Sequence, residues 1–205
     1  FDEISSYWVS DPKISFEDSF LRHSNIEKTP YFYFSLLKLN FYFFSYDPIA
    51  GRLLSLIFNI LGIIYSVLKC KLLRNNNSYI FALFIFATNI FLINYSQEIR
   101  VYSLVFFLSS LYLYLFLKIS TLDENVNFNF LYFFLISFTL TLMLISHPFC
   151  FIIFFSTSVF LFLKSFFKKK SSKILVYNFY FGFFFSLIYL PLLLENIGSS
   201  PSWIT

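Results

Sequence analysis

The chain has 205 residues and a formal net charge of +4; 58% of its residues are hydrophobic and only 13% charged. A soluble domain carries about half apolar and about a quarter charged residues, so this composition excludes an ordinary soluble fold and predicts an all-helical integral membrane protein. The 34 Phe set against 4 Gly read as nucleotide-composition bias rather than an aromatic device, and Cys70 and Cys150 are too few and too separated for a disulfide framework or a metal knuckle.

A polar stretch, residues 1–28, comes first and carries the acidic pair Asp2-Glu3. The chain starts at Phe1, has Met143 as its one methionine and ends at Pro201 to Thr205 in loop-like sequence, so it reads as a fragment. No signal peptide is visible, and a first span is expected upstream. Tyr31 to Phe44 is apolar but carries Lys38 and Asn40 and has only 14 residues. That is too short to cross a ~30 Å hydrocarbon core, so it is expected to lie as an interfacial helix on the outer leaflet, with Lys38 near the headgroups.

Six segments then read as spanning helices: Ile49 to Leu68, Tyr79 to Tyr95, Tyr102 to Leu117, Phe128 to Ser146, Pro148 to Leu163 and Ile174 to Leu194. They are apolar on all faces and lack the alternation of a barrel strand. The resulting division is an external first loop (1–47), a transmembrane bundle (48–194) and the start of another external loop (195–205).

Alternating the spans places Lys69, Lys71, Arg74, Lys118, Lys164, Lys168, Lys169, Lys170 and Lys173 on one side, nine of the 15 Lys and Arg. By the positive-inside rule that side is cytoplasmic, and the acidic pair faces the periplasm or exterior. A bacterial inner membrane is the expected location. The Lys168 to Lys170 run sits beside a span without an aromatic platform, so it reads as an anchor to anionic headgroups and implies no nucleic-acid partner.

Four external clusters can carry chemistry: Asp2-Glu3, the stretch Glu27 to Pro30, the loop Tyr95 to Tyr102 with Gln97, Glu98 and Arg100, and the turn Ser146 to Pro148 with His147. Together they supply a carboxylate for a general base, cations for a phosphate and a histidine. Singly, each has an ordinary explanation: a solvated acid pair, a local Glu98–Arg100 ion pair, a helix-end histidine satisfied by backbone. Their shared side is what raises their interest.

Asp2-Glu3, Lys28-Thr-Pro-Tyr-Phe-Tyr33, Asp47-Pro-Ile-Ala-Gly-Arg-Leu53 and Tyr95-Ser-Gln-Glu-Ile-Arg-Val-Tyr102 occur in an order that resembles the landmarks of the family 39 glycosyltransferases. Their relatives include the protein O-mannosyltransferases, the aminoarabinose lipid A transferases and the rhizobial core-type membrane glycosyltransferases, all of the GT-C fold. The resemblance covers roughly Phe1 to His147. It implies sugar transfer at the external face from a polyprenyl-phosphate sugar to a lipid, glycan or protein acceptor.

Under that resemblance Asp2 is the base and Glu3 its neighbour in binding or orientation. Lys28 and Arg100 are then the cations for the donor phosphate, with Gln97, Glu98, Tyr102 and His147 as further site residues. Lys28 precedes Thr-Pro where many relatives have Pro-Pro, and Gly51-Arg52 resembles the family's entry to the second span.

The chemistry asks for little more, because displacing a lipid phosphate needs a base for the acceptor and cations for the leaving group. No cofactor or metal is implied, a divalent ion being optional. Attack opposite the phosphate inverts the anomeric centre with one carboxylate. Two rivals stay open, a lipid or polysaccharide transporter and a non-catalytic membrane scaffold. Transport is disfavoured because no charge falls mid-span and the prolines, Pro191 among them, fall in loops or near helix ends.

Overall fold

Long Leu, Ile and Phe runs can satisfy their own backbone only as helices when water is excluded, and every element among the described residues is helical. The computed structural model describes residues 2–26, 29–73, 78–121, 129–166 and 173–198, apart from the side chains of 2, 70–73, 78, 165 and 192–198. Three short helices form a cap: α1 (Asp2–Val9), α2 (Phe16–Ile26) and α3 (Phe32–Phe43). The bundle follows as α4 (Pro48–Leu73), α5 (Ser78–Thr88), α6 (Ile90–Gln97), α7 (Tyr102–Ser120), α8 (Phe130–Leu144), α9 (Cys150–Phe166) and α10 (Lys173–Gly198). The basic connections expected on the cytoplasmic side fall largely at 74–77, 122–128 and 167–172, outside the described residues.

Pro48–Lys69, Tyr102–Ser120 and Lys173–Pro191 are long and apolar enough to cross a membrane. The expected span Tyr79 to Tyr95 is instead two helices, α5 and α6, which meet at 56°. Asn89 makes the break: its backbone is extended, and its side chain accepts from the N–H groups of Phe91 and Leu92, starting a new helix. The pair runs antiparallel to α4. Ile99, just past α6, abuts Gly51 at the start of α4, Asn59 farther along α4 donates to the Leu92 carbonyl, and Ser78 closely follows the far end of α4. The two helices together run alongside α4, which gives three helices, or four if the bent pair is counted as one, that are long and apolar enough to cross a membrane.

The other two expected spans fall short of the ~20 residues a crossing needs. Helix α8 has 15 residues because Asn129 caps it, accepting from Leu131 and Tyr132, and the turn before Pro148 ends it. Helix α9 starts only after that turn and has 17 residues. Pro191 lies inside α10, whose helix continues to Gly198, so the prolines are not confined to loops and helix ends, and the last helix passes the expected boundary at Leu194.

Packing centres on α7, which buries Leu104, Leu108, Tyr112, Leu115, Phe116 and Ile119 and makes its most extensive contact with α4. Between apolar helices in lipid there is little hydrophobic drive, so close approach through small residues decides which faces meet. Ser66 and Ser110 share a hydrogen bond of 2.9 Å across this seam, and a Cβ on Gly62 would overlap the Phe106 ring. Deeper in the bundle, the Tyr112 hydroxyl contacts Thr157 and Asn178, and Asn178 donates to Ser137, which joins α7, α9, α10 and α8. Gly62→Leu is expected to pry α4 from α7 at about 1–3 kcal/mol. A thermal-unfolding scan of the purified protein in detergent checks it; an unchanged midpoint would mean that the seam is not tight.

The cap shows what surrounds Lys38. The inward stripe of α3, Tyr33, Phe34, Leu37, Lys38 and Phe41, is buried. Lys38 is satisfied by the protein itself: only 3% exposed, its ammonium donates to the carbonyls of Asp11 and Ile14 and sits over the Phe16 ring. A cation on a flexible stem can fold inward where turn carbonyls replace water, and the α1–α2 turn provides two. Burial pulls its pKa below the ordinary lysine value.

Candidate functional site

Asp47 precedes Pro48, and its side chain accepts from the Ile49 N–H at 2.8 Å, the arrangement that starts a helix with proline in its first turn. One turn on, Arg52 reaches out to α1. The Glu3 carboxylate accepts from Arg52 Nε at 2.9 Å and Nη2 at 3.0 Å, and also from the Ile99 N–H at 3.3 Å. Three chain regions far apart in sequence are thus tied at one carboxylate. The far end of α1 is held as well: Tyr7 and Tyr46 stack at 4.0 Å, and each hydroxyl donates to the other's carbonyl, at 2.7 and 3.2 Å.

Hydrogen bonding from Arg52, above all, holds the Glu3 carboxyl below its ordinary value of 4.5, with the Ile99 N–H and the nearby Arg100 charge acting in the same direction. The sign follows: a depressed acid stabilises the fold above its unfolded value, and that contribution is lost as pH falls through the lower folded value. A carboxylate with three donors and a lowered pKa is a poor base and a good tether.

Glu98 and Arg100 form a partly exposed ion pair at 3.6 Å across the tight turn in which the Arg100 N–H donates to the Glu98 carbonyl. Tyr95 and Tyr102 brace that turn, their rings 4.7 Å apart, while the Ser103 hydroxyl donates to the Tyr95 carbonyl. Tyr102 also contacts the His147 ring at 6.0 Å. His147 is buried, and its Nδ1 accepts from the Phe149 N–H at 3.2 Å, closing the turn before α9. Burial lowers its pKa, which favours the neutral ring. With Nδ1 accepting, the proton of the neutral ring is assigned to Nε2, which makes His147 a donor rather than a base.

Of the residues singled out from sequence, Glu3, Glu98, Arg100, Tyr102 and His147 gather at one end of the bundle, and Gln97 closes α6 there with an exposed side chain. Asp2 opens α1, its side chain outside the description, and Lys28 with Glu27 lies outside the described residues altogether. Sequence reasoning missed Arg52 as the partner of Glu3, since nothing local links positions 49 residues apart. It also missed the Tyr7–Tyr46 clasp, because tyrosines are common throughout this chain. Among the described residues no group of three or more His, Cys, Asp or Glu side chains comes together. Against known proteins, the chain matches no family model, no curated protein and no solved structure.

Proposed function

We propose that this chain is a membrane glycosyltransferase of GT-C type that moves a sugar from a polyprenyl-phosphate donor to an acceptor at the external membrane face, with inversion. One observation carries it: an acidic helix start is tied to Arg52 and to the turn bearing Arg100, at the mouth of an otherwise apolar bundle. A phosphate leaving group calls for cations held at fixed positions, and the attacking acceptor calls for a nearby carboxylate. Asp2, beside the tethered Glu3, is the base. Arg100 and Lys28 bind the donor phosphate, and the Nε2–H of His147 donates to the sugar or phosphate. In this reading α8 and α9 also cross, as short spans, completing six.

Membranes containing the protein, incubated with a panel of polyprenyl-phosphate sugars, should release the lipid phosphate and form a new glycoside with at least one of them. Absence of turnover across pentosyl and hexosyl donors would remove the proposal. The break between α5 and α6 favours a second reading, transport of a lipid-linked glycan, because discontinuous helices are common where substrates cross. The same panel separates the two, since a transporter would move the intact lipid across vesicles without cleaving it.

A further inference from the structure

Helix α1 leaves Ile4 and Trp8, one turn apart on the same face, 72% and 45% exposed. Their height relative to the membrane follows from the two ties of α1. Glu3 holds Arg52, one turn into α4, while Tyr7 is clasped to Tyr46, just before α4 begins. An eight-residue helix is only about 12 Å long, so a helix fixed at both of these points lies across the entry to the span and cannot stand away from it. The outward flank of α4 is already apolar at that height, with Ile49 and Leu53 64% and 52% exposed. Ile4 and Trp8 are therefore level with the first exposed apolar residues of a helix long and apolar enough to span.

We propose that α1 is a lipid-interface anchor: Ile4 and Trp8 insert among the upper acyl chains and carbonyls of the leaflet at this end, and Arg22 meets a phospholipid phosphate. Tryptophan is favoured in that zone because its ring is apolar while its N–H finds a polar partner. Arg22 is placed for the second contact. Its guanidinium stacks over the Trp8 ring at 4.4 Å and donates from Nη1 to the Trp8 carbonyl at 3.1 Å, which leaves further N–H groups of its fork for an anion at the membrane surface. The consequence is mechanical: the tether that carries Asp2 and Glu3 is pinned to the leaflet as well as to α4, which fixes the depth of the acidic pair.

Trp8 and Trp203 are the two tryptophans of the chain, so Trp203→Phe makes Trp8 a sole reporter. The whole 205-residue chain carrying that substitution is reconstituted in phosphatidylcholine–phosphatidylglycerol vesicles. Lipids brominated near the headgroup end of the chain should quench Trp8 more than lipids brominated near the methyl end, and iodide on both sides should quench weakly. Ile4→Asp should weaken the lipid quenching and strengthen that by iodide. Strong iodide quenching without lipid quenching in the parent would place Trp8 in water and overturn the anchor. Quenching by neither would show that protein covers it, which overturns it equally.

Discussion

Asp2→Asn is expected to lower single-turnover sugar transfer by about 10²-fold or more, while the protein still inserts and still binds the donor lipid. The amide keeps the size of the side chain and most of its hydrogen bonding, but it cannot take a proton from the attacking acceptor. Within the acidic pair the choice of base rests on what Glu3 is doing. Its two oxygens accept from Arg52 and from the Ile99 N–H, and the first of these holds its pKa down. Proton transfer to such a carboxylate would have to break a bidentate tie, so under the proposed function Glu3 is given the positioning role and Asp2 that of the base. Glu3→Gln should accordingly weaken transfer less than Asp2→Asn, through a loosened α1. Transfer by Asp2→Asn equal to wild type, with expression matched, would remove the base assignment and with it the main reason to prefer an enzyme over a transporter.

What the sequence made legible was set by hydrophobicity. Uninterrupted apolar runs are read directly from composition, so the helices of the bundle fall where those runs fall. The break at Asn89 was not legible, because one Asn inside an apolar run is compatible with a continuous span. Only the turn of its side chain onto the N–H groups of Phe91 and Leu92 makes it a cap. The partners of Lys38 were illegible for a related reason: a lone cation in an apolar helix ordinarily snorkels to the headgroups, and nothing local points to a protein partner. Here two carbonyls of the α1–α2 turn, 24 and 27 residues away, replace the water it would otherwise seek. Long-range pairs of this kind leave no periodicity, and Glu3–Arg52 is another. Glu3, the Glu98–Arg100 turn and His147 share one end because antiparallel helices return alternate loops to it, a consequence of topology that needs no contact to be foreseen.

Arg100→Ala is expected to weaken use of the lipid donor by roughly 10- to 100-fold, since a charge-assisted hydrogen bond to an ionised group is worth about 1.5–3 kcal/mol. Lys28→Ala should act in the same direction. The competing role for Arg100 is local, because Glu98 lies 3.6 Å away and the guanidinium also helps to lower the Glu3 pKa. A partly exposed ion pair contributes about 0–1 kcal/mol, too little to produce the larger loss. Glu98→Gln then distinguishes the two roles: it removes the ion pair but leaves the cation, so it should leave donor affinity close to wild type. Arg52→Ala provides the other comparison. The Arg52 guanidinium is engaged by Glu3, so under the proposed function its loss should resemble Glu3→Gln, lowering kcat more than it raises the donor KM. A donor-binding titration with each variant reads the difference, and equal affinity in Arg100→Ala, Lys28→Ala and wild type would place the phosphate clamp elsewhere. Rescue of Arg100→Lys to only part of wild-type affinity is the further expectation, because an ammonium restores the charge but not the planar fork that grips two phosphate oxygens together.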